Sequence, residues 1–292
     1  MPQVAIDGIA TRYEVTGTGP PLLMYAPGGF NAVIEAWSTL GIYARLKLVA
    51  HLQASFTCIL FDRRECGQSG GRVEAITWAD YVAQGKGLLD HLGIARAVIA
   101  GGCMGCAPAA AFAVLHPAMV AGLVLYWPVG GAKYRIASHR RFAEHLDFVA
   151  SDGLAAVVAL AVKEGKPFGA DPRGGPWASV IWASVIRHDR AFATAFAAQD
   201  AKRYAAICQA MRDGLFDRDT APGAPPEALM RVEVPALIVP GQDASHATSA
   251  ARYLEECLPR ADYWDVPIEG QTEEAVNVRV LAFLRGVGGG AA

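Results

Sequence analysis

Three observations predict an α/β fold: a mostly parallel, doubly wound sheet with a helical cap inserted late in the chain. Short apolar runs rich in β-branched and aromatic residues alternate with segments of helical length. From Ala97 to Ala132 there is no Asp, Glu, Lys or Arg, as expected for elements covered on both faces. From Val129 to about Met230 the alternation stops, and helical patterns run on without a convincing strand.

Val4 to Ile6 and Thr11 to Val15 read as an opening hairpin, followed by a strand at Leu22 to Tyr25. A helix from Ala36 leads to a strand at Thr57 to Phe61, and a loop then precedes a helix over Thr77 to Leu92, with Asp80 in its first turn, where negative charge is favoured. Arg96 to Ala100 is the next strand, Met104 to Leu115 a helix and Val120 to Tyr126 a strand. After the cap, strand character returns at Pro235 to Pro240, with a helix over Ala247 to Cys257, a strand near Tyr263 to Val266 and a last helix over Thr272 to Arg285. The expected organisation is a core of residues 1–128 and 231–285, a cap of 129–230 and a flexible tail of 286–292.

A chain of 292 residues suits one elaborated α/β domain about as well as two small ones. With 26 Lys plus Arg against 28 Asp plus Glu, no global positive field gathers nucleic acid or an anionic membrane, so a small-molecule partner is expected. The charge-free stretch invites a membrane-spanning reading, but Gly101, Gly102, Gly105, Pro108 and the His116-Pro117 pair cut it into shorter elements. The first residues lack the basic flank and apolar run of an export signal, which points to the cytoplasm. Six cysteines, Cys58, Cys66, Cys103, Cys106, Cys208 and Cys257, are too sparse for a disulfide framework, so free thiols are expected.

One segment carries chemistry. Ala97 to Gly105 reads AVIAGGCMG, with glycines two before and two after Cys103, between a buried strand and a helix. A strand-to-helix elbow strains the backbone at its tip and brings its flanks so close that only small residues fit. Cys103 would stand at a helix N-terminus, where the dipole and free amides favour thiolate over thiol. The bland alternative is an inert cysteine in a glycine-rich turn.

With these residues in view, the chain resembles the α/β-hydrolase superfamily over nearly its full length. Leu22 to Asn31, LLMYAPGGFN, sits where that family keeps its oxyanion loop, so the resemblance implies amide donors at Gly29 or Phe30 beside Met104. Asp62 to Ser69, DRRECGQS, is similar to the family's D-x-R-G-x-G-x-S loop, with Glu65 in place of the first glycine. Asp243 falls at the triad acid's position; as a bland alternative it is a turn or helix-capping residue.

The histidine departs from the pattern. The Gly-His pair expected before the last helix is Gly270-Gln271, and glutamine does not shuttle protons near neutral pH. Of seven histidines, His51, His91 and His116 close helices, while His139, His145 and His188 lie in the cap. His246 follows Asp243 by three residues on the loop expected at the catalytic sheet edge. It either replaces the missing histidine or is a solvent-facing loop residue. A bacterial subset with a Gly-Gly-Cys elbow and a histidine just after the acid is similar at both points.

An ionised Cys103 facing an oxyanion hole implies acyl transfer through an acyl-thioenzyme, with water or another acceptor resolving it. The G-x-C-x-G elbow also resembles that of dienelactone hydrolases, which implies activated esters, thioesters or lactones as substrates. No cofactor or metal is expected, because no second ligand pair stands at metal-site spacing.

Phe168, Trp177, Trp182, Phe192, Phe196 and Tyr204 supply aromatic surface in the cap, most of it expected as cap core, with Trp177 and Trp182 the candidate substrate contacts. Lys133, Arg135, Arg140 and Arg141 form a basic run that either holds a substrate carboxylate or is a solvated helix face. Three alternatives to acyl transfer stay open: disulfide exchange at the Cys103-x-x-Cys106 pair, a ligand binder without turnover, and a non-hydrolytic lyase. Glu65 reads as a solvated surface replacement for glycine or as a carboxylate near the elbow.

Overall fold

The computed structural model describes residues 2–164 and 181–288. Eight strands form one sheet: β1 (Gln3–Ile6), β2 (Ile9–Thr16), β3 (Pro21–Tyr25), β4 (Thr57–Phe61), β5 (Ala97–Gly102), β6 (Val120–Tyr126), β7 (Ala236–Val239) and β8 (Ala261–Tyr263). Their order is β1-β2-β4-β3-β5-β6-β7-β8. The β1–β2 and β2–β4 pairs are antiparallel and the rest parallel. The last strand lies earlier than expected, over Ala261–Tyr263.

Both faces of the sheet are covered, which explains the unbroken apolar strands. Leu23, Ile59, Ile99, Leu123 and Ile238 point into one core, with α4 (Trp78–His91), α5 (Cys106–Leu115) and α11 (Thr248–Cys257). Their neighbours Leu22, Leu60, Val98, Val124 and Leu237 face the other core, with α2 (Gly41–Leu46), α3 (Leu48–Leu52) and α12 (Glu273–Gly288). Each fully buried aliphatic side chain contributes about 1.5–3 kcal/mol. The single helix expected from Ala36 is broken into α1 (Ala36–Thr39), α2 and α3, with Lys47 in a left-handed conformation at the α2–α3 joint. Thr77 caps α4 in a reciprocal capping box with Asp80.

Between β6 and β7 the described residues form helices only: α6 (Ala132–Glu164), α7 (Ala183–His188), α8 (Arg190–Ala197), α9 (Ala201–Leu215) and α10 (Pro226–Leu229). α6 has the length and apolarity to cross a membrane, but it breaks at Gly153 (φ 79°) and packs on α7, α8 and α9. Residues 286–288, expected in the tail, instead prolong α12. Phe168 and Trp177 lie outside the described residues.

Candidate active site

β5 ends in an elbow with Cys103 at its tip, in a left-handed conformation (φ 54°). The flanking glycines are required sterically. A Cβ on Gly101 would stand 2.3 Å from the carbonyl oxygen of Gly105, and one on Gly105 would stand 2.3 Å from that of Tyr25. Strand, turn and helix therefore meet backbone to backbone, and Cys103 projects from the crossing. All six cysteines lie among the described residues and are free; five are buried and Cys103 alone is partly open.

His246 is brought to Cys103. Its Nδ1 lies 2.9 Å from both Asp243 oxygens, and Asp243 Oδ1 also accepts the backbone N–H groups of Ser245 (2.8 Å) and His246 (2.9 Å). The loop is clasped to the segment after β6: Gly130 donates to the Ser245 carbonyl and bridges to His246, while the Trp127 indole packs on the imidazole at 5.4 Å. Nε2 is buried without a hydrogen-bond partner, and the imidazole shares its cavity with the Cys103 thiol, whose charge it feels.

The electrostatics favour an ion pair. Burial alone would raise the Cys103 thiol, but His246 and the N–H groups of Gly28 and Met104 together hold it below its ordinary value. Burial likewise opposes charge on His246, yet Cys103 and Asp243 lift the imidazole to about 10. Asp243, held mainly by its hydrogen bond to His246, falls to about 2.

Of the expected oxyanion donors, Met104 points its N–H at the sulfur, and on the β3 loop the corresponding amide is that of Gly28. Gly29 and Phe30 line the adjoining cavity. Their carbonyls are engaged from behind, Gly29 by the buried Arg63 guanidinium and Phe30 by the Cys66 thiol at 3.2 Å. Arg63 is itself stacked on the Tyr81 ring, 4.3 Å from its centre.

Gln271 is a structural residue. Its Oε1 accepts Tyr126 Oη–H and Trp127 Nε1–H, both at 2.7 Å, and its Nε2 donates to the carbonyls of Pro240 (2.9 Å) and Val266 (3.3 Å). The amide thus braces the tryptophan that packs on His246, a task for which four-way hydrogen bonding suits it better than imidazole.

Glu65 is neither solvated nor catalytic in position. It is fully buried at φ 66°, 3.0 Å from Arg64 Nε, and accepts the Arg72 N–H at 3.2 Å. Burial pushes its carboxyl up to about 7 despite Arg64. Cys106 is also structural: its thiol donates to the carbonyls of Gly101 (3.1 Å) and Tyr126 (3.5 Å), and burial keeps it protonated.

A cavity of about 200 Å³ opens onto Cys103 and His246. Its apolar wall is built by Phe30, Leu40, Val129, Phe142 and Phe216, and its polar wall by Tyr134, Ser138, Arg141 and Ser245. Trp182 takes no part in it. That indole is buried in the cap between Phe196 and Tyr204 and donates to the Arg72 carbonyl at 2.7 Å. The sequence signal missed was the i, i+4, i+7 spacing of Tyr134, Ser138 and Arg141, which aligns them on one face of α6. Among the described residues no group of three or more His, Cys, Asp or Glu side chains is placed to hold a metal ion.

Comparison with known proteins agrees with this architecture. Residues 21–144 match the α/β hydrolase fold family. No curated protein matches the sequence. Among solved structures, the enol-lactonase from Burkholderia xenovorans LB400 is 21% identical, covering 97% of this chain and 99% of its own, with a TM-score of 0.59. Est816, described as an N-acyl homoserine lactone degrading enzyme, is 20% identical over 97% and 100% of the two chains, with a TM-score of 0.61. A thermophilic esterase from Thermogutta terrifontis is 20% identical over 98% and 99%, with a TM-score of 0.59. At these identities the likeness is one of fold.

Proposed function

We propose that this chain, whose residues 21–144 match the α/β hydrolase fold family, is a cysteine-dependent hydrolase of small activated esters, thioesters or lactones, with Cys103 as nucleophile, His246 as acid and base, and Asp243 orienting the imidazole. The observation that carries this reading is the coupling of a partly open elbow thiol to a buried imidazole that a carboxylate holds through its other nitrogen.

In the proposed cycle the Cys103 thiolate attacks the substrate carbonyl and a C–S bond forms. The carbonyl π pair becomes an oxyanion facing the N–H groups of Met104 and the Gly28–Gly29 turn. Collapse expels the alkoxide or thiolate, which takes the proton from the His246 imidazolium. Neutral His246 then removes a proton from water, hydroxide attacks the thioester, the C–S bond breaks as Cys103 regains its electron pair, and the carboxylic acid product leaves, giving its proton to solvent water. Because the thiol is already biased toward thiolate, the first half-reaction depends less on a base than a serine enzyme's would. Hydrolysis of the thioester still needs His246.

A disulfide-exchange role has less support, since Cys106 is a protonated, doubly hydrogen-bonded thiol beneath the elbow. Turnover of phenyl acetate and of a γ-lactone panel tests the proposal. Cys103→Ala is expected to lower kcat/KM by roughly 10³-fold or more, a loss of at least about 4 kcal/mol in transition-state stabilisation. Undiminished turnover in that variant would remove Cys103 from the mechanism.

A further inference from the structure

We propose that Arg63 is a positioning residue of the oxyanion turn: its buried guanidinium holds the Gly29 carbonyl from behind, and its charge favours the oxyanion that forms in front. This rests on the reading of acyl chemistry at Cys103 and adds a residue to it.

Gly28 and Gly29 both stand in left-handed conformations (φ 118° and 60°) and carry no side chains, so the direction of their peptides is set by what binds them. The loop after β4 does the binding. Asp62 Oδ1 accepts the Ile34 N–H at 2.9 Å, the Arg63 N–H donates to the Ala32 carbonyl at 3.0 Å, and Arg63 Nη2 donates to the Gly29 carbonyl. In a trans peptide the carbonyl and the N–H that follows it point in opposite senses. Arg63 is 2% exposed and takes no part in the cavity wall, whereas Gly29 and Phe30 line it beside Cys103. Anchoring the Gly29 carbonyl on Arg63 therefore faces the next N–H away from the guanidinium and toward the reacting centre.

A neutral donor would hold a carbonyl, and a buried cation is a costly way to do so. The Nε and Nη1 groups of Arg63 are buried without hydrogen-bond partners, and Nη2 donates to a neutral oxygen. The carboxylate whose field Arg63 feels is that of Glu65, which is bonded to Arg64 and to the Arg72 N–H instead. The face of the Tyr81 ring, 4.3 Å away, carries part of the charge. Removing a cation from water without a bonded carboxylate works against folding, so the return on this arrangement lies elsewhere than in stability. Its charge reaches the chemistry. Tyr134, on the cavity wall, feels both Cys103 and Arg63. In such dry surroundings a fixed charge acts strongly on charge that develops nearby, with no reorganisation at the moment of reaction.

Acetylation of Cys103 by phenyl acetate passes through an oxyanion, whereas alkylation by iodoacetamide displaces iodide at a saturated carbon and forms none. The test compares the two rates at pH 9 by intact mass in wild type, Arg63→Met, Arg63→Gln and Arg63→Lys, each checked for folding by circular dichroism. Loss of one direct oxyanion donor costs roughly 10²–10³-fold, so the two neutral variants, which act through a donor's peptide, are expected to acetylate about ten-fold more slowly or worse. Alkylation should change little, and in steady-state turnover kcat should fall while KM holds. Arg63→Lys, which keeps the charge, should recover most of the acetylation rate. Arg63→Gln keeps a donor for the Gly29 carbonyl and carries the test by itself if Arg63→Met does not fold. Acetylation that is unchanged in a folded neutral variant, or that falls in step with alkylation, would overturn the inference while leaving the acyl chemistry standing. Absence of Cys103 acetylation in wild type would instead overturn the acyl chemistry, and this inference with it.

Discussion

At the residue scale, the account turns on three ionisable groups whose environments differ from water in opposite senses. Cys103 is held below its ordinary value and His246 above its own, each by the other, which favours the ion pair over the neutral pair. Alkylation of Cys103 by iodoacetamide is therefore expected to rise at lower pH than that of an ordinary cysteine thiol. In His246→Ala burial acts on the thiol with one of its main opponents removed, and the alkylation profile should move to higher pH; an unmoved profile would show that His246 does not tune the thiol. Glu65 titrates differently. Its folded carboxyl lies near 7 and its unfolded one near 4.5, so the native state binds the extra proton between those values. Its share of stability is full below pH 4.5 and is lost as pH rises to 7, by up to about 3 kcal/mol. Denaturation followed from pH 4.5 to 7.5 should show this decline in wild type and a flatter profile in Glu65→Gln; parallel profiles would show that Glu65 is not the group responsible. The sequence singles out Cys103, Asp243 and His246 because a nucleophile elbow and an acid loop have local signatures, and the structure brings the three together. Burial of Glu65 was not, since what encloses it comes from Arg64, Arg72 and Gly71 folded around one carboxylate at a left-handed backbone position.

At the element scale, the site is the meeting of three loops at the C-terminal ends of β3, β5 and β7, together with the stretch after β6. The elbow works only if strand and helix touch. Gly101→Ala places a Cβ against the Gly105 carbonyl and is expected to cost about 1–3 kcal/mol or more, read as a lowered Tm, together with slower Cys103 alkylation as the thiol shifts. An unchanged Tm and reactivity would mean that the crossing tolerates separation. Gln271 belongs to this scale as well. Placing histidine there, as the resemblance to the α/β-hydrolase pattern suggests, removes hydrogen bonds from Tyr126, Trp127, Pro240 and Val266. Each buried group left unpaired costs about 1–3 kcal/mol. Gln271→His is accordingly expected to lower Tm without raising turnover, and a gain in kcat would contradict the structural role given to Gln271. The apolar-run and glycine signals placed β1 to β7 within two residues at each end, with β8 further off, because buried strands and tight turns are encoded locally. β8 was displaced because its three residues are only partly buried and carry little apolar pattern.

At the scale of the whole molecule, the helical insertion contributes Tyr134, Ser138, Phe142 and Phe216 to the cavity beside the thiol. Sequence placed the helical insertion between β6 and β7 and read most of its aromatics as cap core, but took Trp177 and Trp182 as substrate contacts. Trp182 packs with Phe196 and Tyr204 and holds the cap helices together, because large rings bury most area where helices cross. The cavity wall comes from Phe30, Tyr134, Phe142 and Phe216, residues separated by up to most of the chain, whose convergence only the tertiary fold creates. The central claim, that this chamber serves covalent acyl transfer at Cys103, is tested most directly by intact-mass spectrometry after brief exposure to activated esters. The account predicts a mass increase of one acyl group, mapped to Cys103, transient in wild type and long-lived in His246→Ala. Ester turnover without an adduct in either protein, and undiminished in Cys103→Ala, would contradict it.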